Sequence, residues 1–194
     1  MSGDEGNGHV TKRIAILGCG RIGTVHARTI RNHLDGVEPV LVDVDPGAAQ
    51  KLATDLGVPS ATMDEVWDIS DLAAVAICTP TDQHVDLVIE AARRDLAVFC
   101  EKPLSMDLDA VDRADEAVTA AGIPFMVGFH KRFDPTHRAT RQAIVDGRIG
   151  EIEIVRITTR DPAPPPAEYL RRSGGIFLDM TIHDFDMEIG RAHV

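Results

Sequence analysis

Lys102 lies in the tripeptide Glu101-Lys102-Pro103, and Asp179 and His183 stand four residues apart further down the chain. A lysine amine can hydrogen-bond an oxygen and stabilise the negative charge that grows on it. A carboxylate beside an imidazole raises the ring's basicity and orients it, and the pair can then take a proton from a carbinol. Upstream of both runs Ile14-Ala-Ile-Leu-Gly18-Cys-Gly20-Arg-Ile-Gly23, a glycine pattern that binds dinucleotides. A polarising amine, an acid/base pair and a dinucleotide loop are the parts that hydride transfer needs.

Those residues have to be held by elements that the hydrophobic pattern predicts. Arg13 to Leu17 is a short apolar strand running into the glycines, and Ile22 to His33 has helical periodicity. Val37 to Val42 is a second strand, followed by a helix that begins at Pro46, where the missing N–H of proline costs nothing. Leu72 to Cys78, Leu96 to Cys100 and Pro124 to Gly128 are three more strands, with helices over Val85 to Ala92 and Asp107 to Ala121 between them. Near-continuously apolar strands alternating with helices imply a Rossmann-type, doubly wound parallel α/β sheet covered on both faces. Pro135 to Asp146 is a further helix. Glu151 to Arg160 then alternates polar and apolar residues, which predicts a half-exposed strand opening a second, α+β open-sheet domain. Pro162 to Pro166 is a stiff extended loop. The expected organisation is a flexible tail over residues 1–11, a dinucleotide-binding domain over 12–128, and the beginning of a substrate and oligomerisation domain over 129–188. Residues 189–194 do not continue the apolar helix pattern after Asp186 and are expected to be a non-native tail on a reading frame cut near Glu188.

Within the first domain, Gly18 permits the tight turn, Gly20 lets a pyrophosphate approach the backbone, and Gly23 lets helix and strand pack closely. Arg21 and Ile22 belong to the same loop, at a helix N-terminus whose N–H groups attract an anion. Asp43 closes the second strand twenty residues after Gly23, where its carboxylate can accept both ribose hydroxyls. It would repel an added phosphate, so NAD is preferred to NADP. Thr79, Pro80 and His84 follow the third strand and can line the nicotinamide side, although His84 equally suits a structural role at a helix start. Glu101 and Lys102 close the fourth strand at the same ligand-binding edge.

Asp179 and His183 project from one face if their segment is helical. His183, Asp184 and Asp186 also make a candidate metal cluster, but ligands at coordinating spacing from other segments are missing, so no metal is expected. Formal net charge is −11, which argues against nucleic acid as a partner. No apolar run approaches the ~20 residues of a bilayer span. Cys19, Cys78 and Cys100 are odd in number and lack metal-like spacing, so they read as reduced thiols of a cytoplasmic protein.

Taken together, the glycine pattern, Thr79-Pro80 with His84, Glu101-Lys102-Pro103 and the Asp179/His183 pair resemble the Gfo/Idh/MocA oxidoreductase family over roughly residues 12–188. Three stretches, Val127 to Pro135, Arg160 to Pro166 and Gly174 to Asp186, look most like its inositol 2-dehydrogenase branch. The resemblance implies NAD-dependent oxidation of a ring hydroxyl of a cyclic polyol or sugar, with myo-inositol going to scyllo-inosose. It gives catalytic roles to Lys102, Asp179 and His183, with His183 as proton acceptor. It also makes Lys131 and Asp161 substrate contacts, beside Lys102, Asp179 and His183. It implies a full-length protein that is a dimer or tetramer, with a second domain extending beyond this chain. Two other readings stand beside it: a nucleotide-binding module without turnover, and a family relative that cleaves glycosides with bound NAD.

Overall fold

The computed structural model describes residues 12–160, 163–165, 167, 170 and 173–192. The tail expected over residues 1–11, part of the Pro162–Pro166 loop and the last two residues lie outside them. The chain divides into two units, Met1–Met126 and Val127–Val194, and each is described by itself.

The first unit is built on a sheet of β1 (Lys12–Leu17), β2 (Val37–Val42), β3 (Leu72–Ile77), β4 (Ala97–Cys100) and β5 (Phe125–Val127), in the order β2-β1-β3-β4-β5. The pairings of β1 with β2, β1 with β3, and β3 with β4 are parallel. Side chains alternate across such a strand, so each strand feeds two cores. Ala15 and Leu17 join Val75, Ile77 and Val98 on one face. Helices α4 (His84–Ala92) and α5 (Leu108–Ala121) cover that face with Val88, Ala91, Ala114 and Val118. Ile16, Leu41, Ala76 and Cys78 point the other way, against Ala27 and Ile30 of α1 (Arg21–His33) and Leu52 and Ala53 of α2 (Pro46–Leu56). Two covered faces explain why the strands read as unbroken apolar runs. Truncating a side chain as enclosed as Leu17 to alanine would cost about 2–5 kcal/mol.

Local chemistry sets the helix ends. Asp45 caps α2 by accepting the Gly47 N–H at 2.9 Å, with Pro46 in the first turn. Gly57 and Gly122 close α2 and α5 in left-handed conformation. The single-turn helix α3 (Met63–Val66) starts with a reciprocal Thr62/Glu65 capping box. Helix α1 differs: its N-cap is Gly20, which makes no side-chain cap, so its first-turn N–H groups stay available.

The second unit holds a 3₁₀ turn, His130–Phe133, and α6 (Pro135–Val145), capped by Asp134. A π-helical turn, Phe177–Thr181, leads into α7 (Ile182–Ala192). Two sequence expectations are corrected here. Glu151–Arg160 forms no strand, and its residues are exposed apart from a partly covered Val155. A strand exists only against a partner, and among the described residues of this unit none offers a ladder, whatever the polar–apolar alternation. Helix α7 also does not lapse after Asp186 but persists to Ala192. Once nucleated, a helix extends at little cost, and Gly190 sets it back by only about 1 kcal/mol.

Candidate functional site

The carboxyl ends of β1, β3 and β4 meet where the strand order reverses, the place at which parallel sheets bind ligands. Gly18 turns the chain there with φ +97°, and a Cβ on it would meet the Cys78 carbonyl at 2.8 Å. A Cβ on Gly23 would overlap the Gly18 carbonyl oxygen. These two positions therefore admit glycine alone. Gly20 is different, since a Cβ on it would meet nothing within 4 Å and would stand in open space at the start of α1. Arg21 and Ile22 form the first turn of that helix.

Asp43 follows β2 and is bonded from both sides. Its Oδ2 accepts the Cys19 N–H at 2.6 Å and its Oδ1 accepts the Asp45 N–H at 2.9 Å. One carboxylate thus sets both the glycine loop and the turn before α2. Each oxygen keeps a lone pair for a further donor such as a ribose hydroxyl. Thr79 follows β3, and its Oγ1 is buried with no hydrogen-bond partner among the described residues. An orphaned buried hydroxyl is costly, and a ligand donor or acceptor would relieve it. The open face of Gly20, the uncapped α1 terminus, the Asp43 carboxylate and the Thr79 hydroxyl all fit a dinucleotide.

Glu101 directly follows β4, its N–H donating to the Ile77 carbonyl at 3.0 Å. Its carboxylate lies 2.7 Å from Nε2 of His26, a residue of α1. The His26 ring in turn meets Phe99 edge-on, with centroids 5.0 Å apart. Lys102 comes next, and the Lys102–Pro103 peptide is cis. His84, read from the sequence as either a nicotinamide-lining or a structural residue, has backbone partners on both ring nitrogens. Its ring is buried, with Nδ1 2.9 Å from the Pro103 carbonyl and Nε2 2.9 Å from the Thr79 carbonyl. Both nitrogens face the protein's own backbone, because a buried imidazole must find its partners locally. Pro80 is exposed at the loop surface.

The three cysteines sit around this edge as free thiols. Burial, with the Asp43 carboxylate adding to it, pushes the Cys19 thiol up to about 11. Burial and then Glu101 push Cys78 up to about 12, and burial drives Cys100 upward as well. Such thiols are poor nucleophiles at neutral pH, so none is a candidate for covalent chemistry.

The second unit gathers its own polar cluster. His183 is 7% exposed. Its ring lies edge-on to His130 at 4.5 Å and to Phe129 at 6.3 Å between centroids. Asp179 sits in the π-helical turn rather than in a regular α-helix, one turn ahead of His183. Single π turns are frequent at functional sites. Lys131 Nζ donates to Asp184 Oδ1 at 2.8 Å, and the Thr159 hydroxyl donates to the same carboxylate at 2.9 Å. Burial opposes the Asp184 charge, but Lys131 and Thr159 prevail and hold its carboxyl below the usual range. Arg132 Nε donates to both oxygens of the buried Asp186, at 2.9 and 2.8 Å. Asp184 and Asp186 are thus turned onto cations, and among the described residues no group of three His, Cys, Asp or Glu side chains gathers around a metal position. Asp161 lies outside the described residues.

Sequence spacing did not reveal His26, His130 or Arg132. Their partners are remote in the chain, as with His26 and Glu101, 75 positions apart, so only the fold brings them together.

Comparison with known proteins adds the following. Residues 12–129 match the GFO/IDH/MocA model, described as an oxidoreductase family with an NAD-binding Rossmann fold. Residues 137–188 match a GFO/IDH/MocA C-terminal domain. Inositol 2-dehydrogenase of Rhizobium meliloti is 48% identical over 92% of this chain and 54% of its own length. Myo-inositol 2-dehydrogenase of Thermotoga maritima is 44% identical over 90% of this chain and 53% of its own. The structure of scyllo-inositol dehydrogenase from Lactobacillus casei, with bound NAD(H) and scyllo-inositol, superposes with a TM-score of 0.85 at 30% identity. That superposition covers 93% of this chain and 56% of the other. The chain therefore spans about half the length of the relatives it matches. Among the described residues no helix is long and apolar enough to cross a membrane.

Proposed function

The chain belongs to the GFO/IDH/MocA oxidoreductase family, its first unit being that family's NAD-binding Rossmann fold, and from that premise we propose that it oxidises a ring hydroxyl of a cyclic polyol. The substrate proposed is myo-inositol, going to scyllo-inosose. The observation that carries the reading is the pairing of a dinucleotide-shaped cradle with Glu101-Lys102-Pro103 at one sheet edge. The inositol-oxidising names of the most similar relatives support the substrate.

NAD, when bound, accepts the hydride. The residues of the chain do the rest. Gly18, Gly20, Arg21, Ile22 and Gly23 receive the pyrophosphate at the α1 terminus. Asp43 accepts the ribose hydroxyls, and its charge disfavours NADP. Thr79 and Pro80 line the nicotinamide side, with Glu101 beside them. Lys102 donates a hydrogen bond to the substrate oxygen and stabilises its developing negative charge. His183 takes the hydroxyl proton, and Asp179 orients the substrate and the ring. Phe129 and His130 restrict the tilt of the His183 ring through their edge contacts. Lys131 is a substrate contact already aligned by Asp184, and Asp161 is another. The three free thiols suit a cytoplasmic enzyme, and the full-length protein is proposed to be a homo-oligomer.

The test is to incubate the chain with NAD and myo-inositol and follow absorbance of NADH. Growth of NADH with inositol, and far less with NADP in place of NAD, is the expected result. Tight NAD binding without reduction across a polyol panel would instead make the chain a nucleotide-binding module. Release of sugar from a glycoside without net NADH would move it to glycoside cleavage.

A further inference from the structure

We infer that His84 is a positioning residue that staples the turn carrying Lys102 to the loop after β3. Its imidazole spans two loops that are remote in the chain. Nε2 faces the Thr79 carbonyl and Nδ1 faces the Pro103 carbonyl, each at 2.9 Å. A single tautomer donates to one of them, and the ring donates to both when each nitrogen carries hydrogen. The ring is 1% exposed, so no water competes for either bond. The backbone it grips is the part of the edge that matters. Thr79 carries the orphaned buried hydroxyl, and Pro103 directly follows Lys102. On the other flank, Glu101 is held by His26 from α1 at 2.7 Å. The tripeptide is thus tied on both sides by imidazoles that belong to two different helices. His84 stands at the first residue of α4, whose Val85, Val88, Ala91 and Ala92 are buried against the sheet. A helix anchored in the core is a rigid post, and a turn tied to it inherits that rigidity.

Among the described residues, His137 of the second unit bonds Asp134 and His130 packs edge-on against His183. The inference rests on the proposed role of Lys102 for its consequence in turnover, but the staple itself can be read without turnover.

The experiment compares the wild-type chain with His84→Ala and His84→Gln by amide hydrogen exchange, NAD titration and steady-state kinetics. Glutamine keeps the volume and offers an amide with two N–H donors. Losing the imidazole between the two carbonyls is expected to speed exchange at Glu101, Lys102, Leu104 and Ser105 by about tenfold in the alanine variant, while β1 and β2 exchange as before. The glutamine variant should recover part of that protection. In kinetics, kcat should fall by a larger factor than NAD affinity, because the loop after β3 and the Lys102 turn loosen while the Gly18–Gly23 loop and Asp43 on β1 and β2 keep their own bonds. Unchanged exchange at the turn overturns the inference. Equal acceleration over every strand, or loss of the fold in both variants, also overturns it, since His84 is then an ordinary core residue. If the wild-type chain shows no turnover at all, the dehydrogenase reading fails, and the exchange pattern still decides the staple.

Discussion

Replacing Lys102 with methionine is expected to lower kcat for inositol oxidation by about 10³-fold while NAD affinity changes by no more than about twofold. Methionine keeps the unbranched shape of the side chain and removes only the charged donor. The substrate oxygen gains negative charge as hydride leaves its carbon, and a donor aimed at that oxygen is worth most at that moment. In the proposed function the pyrophosphate and the adenosine ribose are instead assigned to the α1 terminus and Asp43, which belong to other loops. Steady-state kinetics together with a binding titration of NAD separate the two effects. A Lys102→Met chain that keeps more than about a tenth of wild-type kcat would remove lysine from the chemistry. Arginine at the same position should not restore the rate, because its planar fork cannot replace a compact ammonium.

The second large effect is expected at Gly20. Valine there should weaken NAD binding by about 100-fold or more, equivalent to about 2.7 kcal/mol, with a melting temperature within a few degrees of wild type. The backbone at Gly20, with φ −65° and ψ −166°, is open to any residue, and a Cβ would touch nothing within 4 Å. No protein atom therefore requires glycine at this position. The open space is where a pyrophosphate would come to the α1 N-terminus, and the valine methyl groups would fill it. Gly23→Ala is the contrast. Its Cβ would collide with the Gly18 carbonyl, so fold stability and NAD binding should fall together. Isothermal titration and thermal unfolding of the two variants measure the difference. A Gly20→Val chain that binds NAD like wild type would place the nucleotide elsewhere.

These two positions also show what the sequence made legible. Gly18 and Gly23 were legible because backbone crowding leaves a mark on residue type, and the buried strands because two covered faces demand unbroken apolar runs. Glu101-Lys102-Pro103 stood out because a charged pair seldom ends a buried strand. Other features had no local signature. The His84 bonds join loops 19 and 5 positions away, and that ring looks from sequence like any helix-start histidine. The π-helical turn at Phe177–Thr181 depends on how the segment packs, and no residue in it is unusual for an α-helix. The alternation of Ile152, Ile154 and Ile157 is a strand pattern, yet a pattern cannot supply the neighbouring strand that pairing needs. The helix that continues through Gly190 to Ala192 was hidden for the opposite reason, since a single glycine weakens a helix without ending it.

The most direct test of the account is isotope transfer. The chain is mixed with NAD and myo-inositol that carries deuterium on the ring carbon to be oxidised, and the reduced nicotinamide is analysed by mass spectrometry and proton NMR. The account predicts one deuterium on C4 of the nicotinamide, on a single face, with inosose formed in equal amount. Reduced cofactor bearing hydrogen from solvent, or inosose without reduced cofactor, would contradict it.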